Sequence, residues 1–407
     1  MNLMKRLAAG AAVTTLAMAM STVAAYAQET TGKIRGVVEG GGVGVGGATI
    51  TVTHVPSGTT ATTVADEDGF FNVYGLRVGG PYTVTATAGG QTSTVTVRNV
   101  GLGDSSLISV PLGGGAGVSA VTITAAPTNN ANYNNSIGFS EGDIASMPSV
   151  NRDLKDTVRV DPFVELDIAN LKAMVVGGVS NRYNSITIDG VKQNDDFGLN
   201  NGTGTPTQRS PLSLEAVAAV SVNTAPFSVT YNDFLGANLN AVTKSGTNDF
   251  HFSLYGETIG VRRFNFDNTT NERTWGATLG GPIWRDHLFF FLSYEKYDTT
   301  NPFPSGPVGS GRPLEITETT QAQVDTISTN LNTIYGFNYD VNNPLNGAGG
   351  LAAVDEKYFA RVDWNITDDH RLSLTYQDTY GDRQVEGIRA SNTVTRLLPL
   401  RSHYYTL

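Results

Sequence analysis

Few residues of this chain could carry side-chain chemistry, and the patterns they form fail on context. Gly42-Val43-Gly44-Val45-Gly46-Gly47 has the spacing of a dinucleotide-binding turn, which needs a helix to open directly after it. Here Ala48–Val52 alternates like a strand, so no helix amides are offered to a phosphate. Asp66-Glu67-Asp68-Gly69 clusters carboxylates but lacks the distant Glu of a calcium loop, and reads as a hairpin turn. The five His are dispersed, with no H-E-x-x-H and no G-x-S-x-G. The absence of Cys excludes a disulfide scaffold, a thiolate zinc site, a cysteine nucleophile and a lipid-anchored N-terminus. No catalytic constellation, metal site or cofactor is expected, and the chain is not read as an enzyme.

A second kind of chemistry, backbone pairing, has a better candidate. Val118–Ala126 is a short β-prone run between the glycine-rich Gly113–Gly117 and the stretch Pro127 to Asn135. Such a strand can be the last strand of the domain before it. Alternatively, its unpaired N–H and C=O groups can add to another protein's sheet edge.

The elements around these residues are mostly strands. Lys5 and Arg6, the apolar run Leu7–Met20 and Ala25-Tyr26-Ala27 form a signal-peptide pattern, with cleavage expected between Ala27 and Gln28. The run is shorter than the roughly 20 residues a membrane-crossing helix needs. A net charge of -10 with no basic cluster argues against nucleic acid as a partner. Residues 28–112 show about seven alternating segments: Lys33–Val38, Ala48–His54, Thr59–Val64, Phe70–Tyr74, Tyr82–Ala88, Gln91–Val97 and Ser106–Pro111. Turn signals separate them, so the expectation is a β-sandwich. Residues 113–129 form a linker carrying the pairing strand. Residues 130–247 are mixed, with helical turns expected at Asp143-Ile144, Arg152–Asp156 and Ser213–Val217. Strands are expected at Tyr183–Gly190, Val220–Asn223 and Asn238–Lys244, and a long polar loop from Val191 to Pro211.

From residue 248 to 407 apolar residues alternate with polar ones over longer runs. Phe250, Phe252 and Leu254 alternate with His251, Ser253 and Tyr255, and Tyr358–Ile366 and Leu372–Gln377 behave alike. Asp286–Asp298 adds grouped aromatics, as in an interfacial girdle. A soluble sandwich and a transmembrane antiparallel barrel both fit this alternation. The Thr299–Asp355 connection carries Val324, Ile327, Leu331 and Ile334 at helical spacing, which predicts a small helix.

The order of segments adds a resemblance. "GGATITV … TTVADEDGFFNVYGLRVGGPYTVTATAGG" resembles the carboxypeptidase regulatory-like domain, a transthyretin-like sandwich. "NRYNSITIDGV", then "SLEAVAAVSVNTAPFSVTYNDFLGANLNAVTKSGTNDFHFSLYG" and "GGPIWRDHLFFFLSYEKY", resemble the plug-to-barrel passage of Oar-like TonB-dependent receptors. The resemblance implies a mixed α/β plug at 130–247 and the first strands of a transmembrane barrel at 248–407, incomplete because plugged barrels use about 22 strands. It implies an outer-membrane location, a gated transporter, and as partners the periplasmic domain of TonB, outer-membrane lipid and an extracellular ligand. A surface adhesion protein gripping carbohydrate through the sandwich is the alternative. Val121, Thr122, Ile123, Thr124 and Ala125 are similar to the family's TonB box. Asn194, Asp195, Asp196, Phe197, Asn200, Asn201 and Arg209 fall in the loop that the resemblance places toward the ligand. Asn223-Thr224-Ala225-Pro226 stands where siderophore receptors usually have Arg-Gly-Pro, which weakens any transfer of siderophore specificity.

Overall fold

The structure is a computed structural model that describes residues 30–102, 105–113, 122–123, 135–149, 152–167, 173–194, 209–225, 234–262, 269–301, 305–311, 314–337, 351–367, 370–386 and 395–406. The expected signal peptide and its Ala27/Gln28 cleavage site lie outside these residues.

The N-terminal domain comprises β1 (Gly32–Gly40), β2 (Val43–Gly44), β3 (Thr49–His54), β4 (Thr59–Val64), β5 (Phe70–Leu76), β6 (Tyr82–Ala88), β7 (Gln91–Val97) and β8 (Ser105–Leu112). β2, β1 and β5 form one sheet, with β8 parallel to β1. The other sheet runs β4-β3-β6-β7 and ends on β9 (Thr122–Ile123). Period-two alternation sends Ile34 and Val38 from one sheet, and Ile50, Val52, Val84 and Val95 from the other, into a single core. Each such side chain contributes about 1.5–3 kcal/mol when fully buried. Gly36 is required there: a Cβ would collide with the Phe71 ring, which crosses the strand at that point. The acidic stretch is a turn, in which the Asp66 carboxylate accepts from the amides of Asp68 (3.1 Å) and Phe70 (2.7 Å) while Gly69 takes φ +84°.

The middle of the chain contains β10 (Asn135–Ser140), α1 (Glu141–Ser146), α2 (Leu154–Val158), β11 (Val164–Asp167), β12 (Ala173–Val176), β13 (Ser185–Ile188), β14 (Val191–Lys192), β15 (Val217–Ala225) and β16 (Asn238–Thr243). Five of these strands form a mixed sheet in the order β10-β15-β16-β13-β14, with β13 parallel to β16. The three expected helical turns are present. Ser140 and Asp143 form a capping box on α1, Asp153 caps α2, and Ser213 caps a 3₁₀ turn at Leu214–Ala216. Every residue of β16 is buried, so both of its faces are covered.

The remaining strands are β17 (His251–Arg262), β18 (Thr269–Trp284), β19 (Leu288–Asn301), β20 (Ser305–Val308), β21 (Leu314–Thr320), β22 (Leu351–Asn365), β23 (Arg371–Glu386) and β24 (Thr395–Thr406). β17, β18, β19, β22, β23 and β24 pair in that order as one antiparallel sheet, open between β17 and β24. The predicted helix exists as α3 (Gln321–Ile334), capped by Thr320 and Gln323, with Val324 buried. The connection holding it is shorter than the expected Thr299–Asp355. The ladder between β19 and β22 continues through Asp298↔Val354 to Asn301↔Leu351, beyond the apolar alternation that marks these strands in sequence. The ladders that end at Trp284↔Leu288 and Asn365↔Arg371 mark the short-turn end of the sheet, where few residues separate successive strands.

The two faces of this sheet differ. Register sets Phe252, Leu279, Leu292, Ala360 and Tyr376 in one outward row, and Phe290, Val362 and Leu374 in another. Trp275, Tyr294 and Tyr358 make an outward aromatic cluster, with ring centroids 5.1 and 4.9 Å apart. No helix among the described residues is long and apolar enough to cross a membrane. The opposite face is polar and packs against the mixed sheet, with Phe291 and Phe359 joining its core.

Candidate functional site

The inward face reads as rows of paired residues. Tyr255, Gly276, Glu295, Lys357 and Thr379 stand opposite one another across five strands. Lys357 Nζ donates to Glu295 Oε1 at 2.8 Å. Glu295 Oε2 accepts from Ser213 Oγ and from the Tyr255 hydroxyl, each at 3.0 Å. Gly276 makes this possible, because a Cβ there would collide with the Tyr255 phenol and the Tyr294 carbonyl. The next row places Tyr297 opposite Asp355. Arg209, from the middle of the chain, enters between the rows. Its NH2 is 3.6 Å from Glu295, its Nε 3.9 Å from Asp355, and its guanidinium lies 4.0 Å over the Tyr297 ring.

These charges are buried, so each must be compensated. Burial opposes the Arg209 cation, yet Glu295, Asp153 and Asp355 overcome it and raise its pKa. Behind it, Asp153 accepts from Ser210 Oγ at 2.6 Å while capping α2. Burial disfavours the Asp153 carboxylate, but Lys155, Arg209 and the Ser210 hydrogen bond together hold it below the usual carboxylate range. At the edge Arg152 pairs with Glu215 and lies 4.3 Å over the Tyr255 ring.

A second network lies nearer the short-turn end. Arg361 binds Asp363 through two nitrogens at 2.8 and 2.9 Å and donates to Thr243 Oγ1 at 2.8 Å. Asp189, 3.5 Å from Arg361, accepts from the Thr243 amide (2.9 Å) and hydroxyl (2.6 Å). Asp363 accepts from Ser245 at 2.6 Å and Ser373 at 2.5 Å. The mixed sheet is therefore held to the long antiparallel sheet by ion pairs and hydroxyls as well as by apolar contact.

The residues singled out in the sequence fall in three places. Thr122 and Ile123 form β9, which pairs in parallel with Thr96 and Val97 at the free edge of β7; Val121, Thr124 and Ala125 lie outside the described residues. Asn194 accepts from the Ile186 amide (2.8 Å) and donates to the Asn184 carbonyl (2.5 Å), so its amide clamps the β13–β14 hairpin. Arg209 is buried and faces the long antiparallel sheet. Asp195, Asp196, Phe197, Asn200 and Asn201 lie outside the described residues. Glu295, Lys357, Asp355 and Tyr255 were not anticipated. Their signal was present: in Phe289–Tyr297 the parity that sends Leu292 and Tyr294 outward sends Glu295 inward, where an isolated charge needs a partner.

Residues 33–132 match the carboxypeptidase regulatory-like domain, and the match runs past β9. Residues 242–397 match the outer membrane beta barrel domain. The TonB-dependent transporter Oar of Myxococcus xanthus is 33% identical over 144 residues, which are 31% of this chain and 13% of the relative. Among solved structures, the siderophore receptor PirA of Acinetobacter baumannii has a TM-score of 0.42 at 17% identity, covering 61% of this chain and 32% of its own. The outer membrane transporter YddB of Escherichia coli has 0.47 at 12% identity, covering 66% and 36%. The chain thus spans about a third of those structures, and its match a smaller part of Oar. The chain is an outer-membrane protein with a match to the outer membrane beta barrel domain and to the carboxypeptidase regulatory-like domain, and over 144 residues it is homologous to the TonB-dependent transporter Oar.

Proposed function

We propose that this chain belongs to a gated outer-membrane transporter in which the mixed sheet is the plug, the N-terminal domain is a transthyretin-like sandwich, and TonB pulls on Val121–Ala125. The observation that carries the reading is Arg209, seated between Glu295 and Asp355 of the long antiparallel sheet. A separately folded sheet held by buried ion pairs is a filling that can be displaced and reset, because such pairs contribute little net stability compared with an apolar core of the same size. Ligand would approach from the side of the long connections. The loop from Val191 to Pro211 is proposed to meet it, with Asn194 and Arg209 as its two anchored ends.

TonB would capture the box by backbone pairing, so the box must first leave β7, with which it forms two residue pairs among the described residues. The test is disulfide capture. The chain has no Cys, so Thr122→Cys offers one thiol to a cysteine placed in the periplasmic domain of TonB. Capture should survive Ile123→Ala and fail with Ile123→Pro, which removes a backbone donor. Equal capture by both variants, or none by either, refutes the assignment.

A further inference from the structure

The N-terminal domain is docked at the short-turn end of the barrel-type sheet. Arg77, just after β5, donates from NH1 to Ser245 Oγ at 2.7 Å and from NH2 to Asn365 Oδ1 at 3.2 Å. Its guanidinium lies 5.8 Å from the Phe289 ring centroid. Ser245 is where the chain passes from β16 to β17, and it hands the contact on to Asp363 at 2.6 Å. Around this centre Asn365 donates to Thr59, Arg371 to the Gly75 carbonyl, and the Asn248 amide to the Pro56 carbonyl. Beside it Val78 and Leu102 of the N-terminal domain pack on Ala219 and Val242 of the mixed sheet.

Two features make this contact releasable. Among the described residues its apolar cluster has four members, and the rest is hydrogen bonds and the Arg77–Phe289 contact, the composition of a reversible interdomain interface. A single side chain, Arg77, bridges the mixed-sheet exit and the end of β22 together.

We propose that the N-terminal domain is a latch on the mixed sheet, with Arg77 as its catch: docked, it covers Ala219 and Val242 and pins Ser245, and the sheet cannot shift until it lets go. The latch is a property of the resting chain and stands independently of coupling to TonB. A pull on residues between β8 and β10 would load two anchors, this interface and the β10 edge, so undocking can precede movement of the sheet.

The test uses membranes containing the protein, in which Ala219→Cys supplies the one thiol of the chain and maleimide labelling reports its exposure. Docked, Cys at this site labels slowly. Arg77→Ala should accelerate labelling about tenfold or more, the loss expected for hydrogen bonds from a charged group. Ser245→Ala with Asn365→Ala, which leaves the N-terminal domain's own sequence intact, should do the same. Both should also speed amide exchange within Asn238–Thr243. Unchanged labelling overturns the latch, as does acceleration by Arg77→Ala alone, which would mean that the domain had unfolded. Faster labelling without faster exchange in β16 would show a docked domain that restrains nothing, and overturns it equally.

Discussion

Glu295 and Lys357 stand directly opposite each other on neighbouring strands, both turned to the inner face, and their charged atoms meet at 2.8 Å. Both are buried, and Glu295 also neutralises Arg209. One carboxylate thus ties a strand of the long sheet to its neighbour and to the mixed sheet. Glu295→Gln would leave two buried cations short of an anion, at a cost of about 3–5 kcal/mol. Adding Lys357→Met should recover part of that loss, because the pair would then be removed rather than broken. Thermal unfolding of the purified protein in detergent checks both, and strictly additive losses would exclude the coupling.

Gly276 makes a sharper prediction about the same row. Tyr255→Phe removes one hydroxyl from Glu295 and should cost about 1 kcal/mol. Gly276→Ala leaves every hydrogen-bonding group in place, yet its methyl occupies the space of the Tyr255 phenol and approaches the Tyr294 carbonyl, which cannot move aside without breaking a strand. It should therefore destabilise more than Tyr255→Phe. If Gly276→Ala is neutral, Tyr255 does not cross the strand there.

The outward rows predict a solvent. Leu292 is flanked by Leu279 and Ala360 and is 44% exposed. On a sheet facing water, Leu292→Arg would stay within about 0.5 kcal/mol. On one facing the middle of a bilayer it should cost about 2–4 kcal/mol. Folding titrations into lipid vesicles distinguish these values.

How much of this was legible depended on the range of the contact. Strand parity in Tyr358–Ile366 and Leu372–Gln377 is a local property, and the outward faces follow from it. The helical turn at Arg152–Asp156 and the capped turn at Ser213–Val217 were legible for the same reason, since the residues that form such a turn lie within a few positions of one another. The seat of Arg209 was not, because Glu295 and Asp355 lie far along the chain and only register brings them together. Arg77 was hidden more deeply. An arginine in a turn is ordinarily solvated, and nothing near it in sequence announces Ser245 or Asn365. The strand Thr122-Ile123 shows the limit from the other side: its tendency to pair was readable, but its partner in the structure is the edge of β7.

His54 gives the docking interface a pH dependence. Its Nδ1 meets Ser57 Oγ at 2.7 Å, Ser57 meets Thr59 Oγ1 at 2.7 Å, and Asn365 donates to Thr59 at 3.1 Å, so the ring is tied to the end of β22. Burial, then the nearby cations Arg77 and Arg371, lower its pKa from 6.5 to about 4. The folded state thus binds fewer protons than the unfolded state between those values, and stability rises with pH through that window. Full above pH 6.5, this contribution falls as pH drops and is gone below 4, a change of about 3 kcal/mol. His54→Gln should flatten that part of the profile while leaving the slopes due to carboxylates. The comparison is between unfolding midpoints of parent and variant from pH 4 to 7.5. Parallel profiles would mean that His54 titrates normally and that the ring is reached by water.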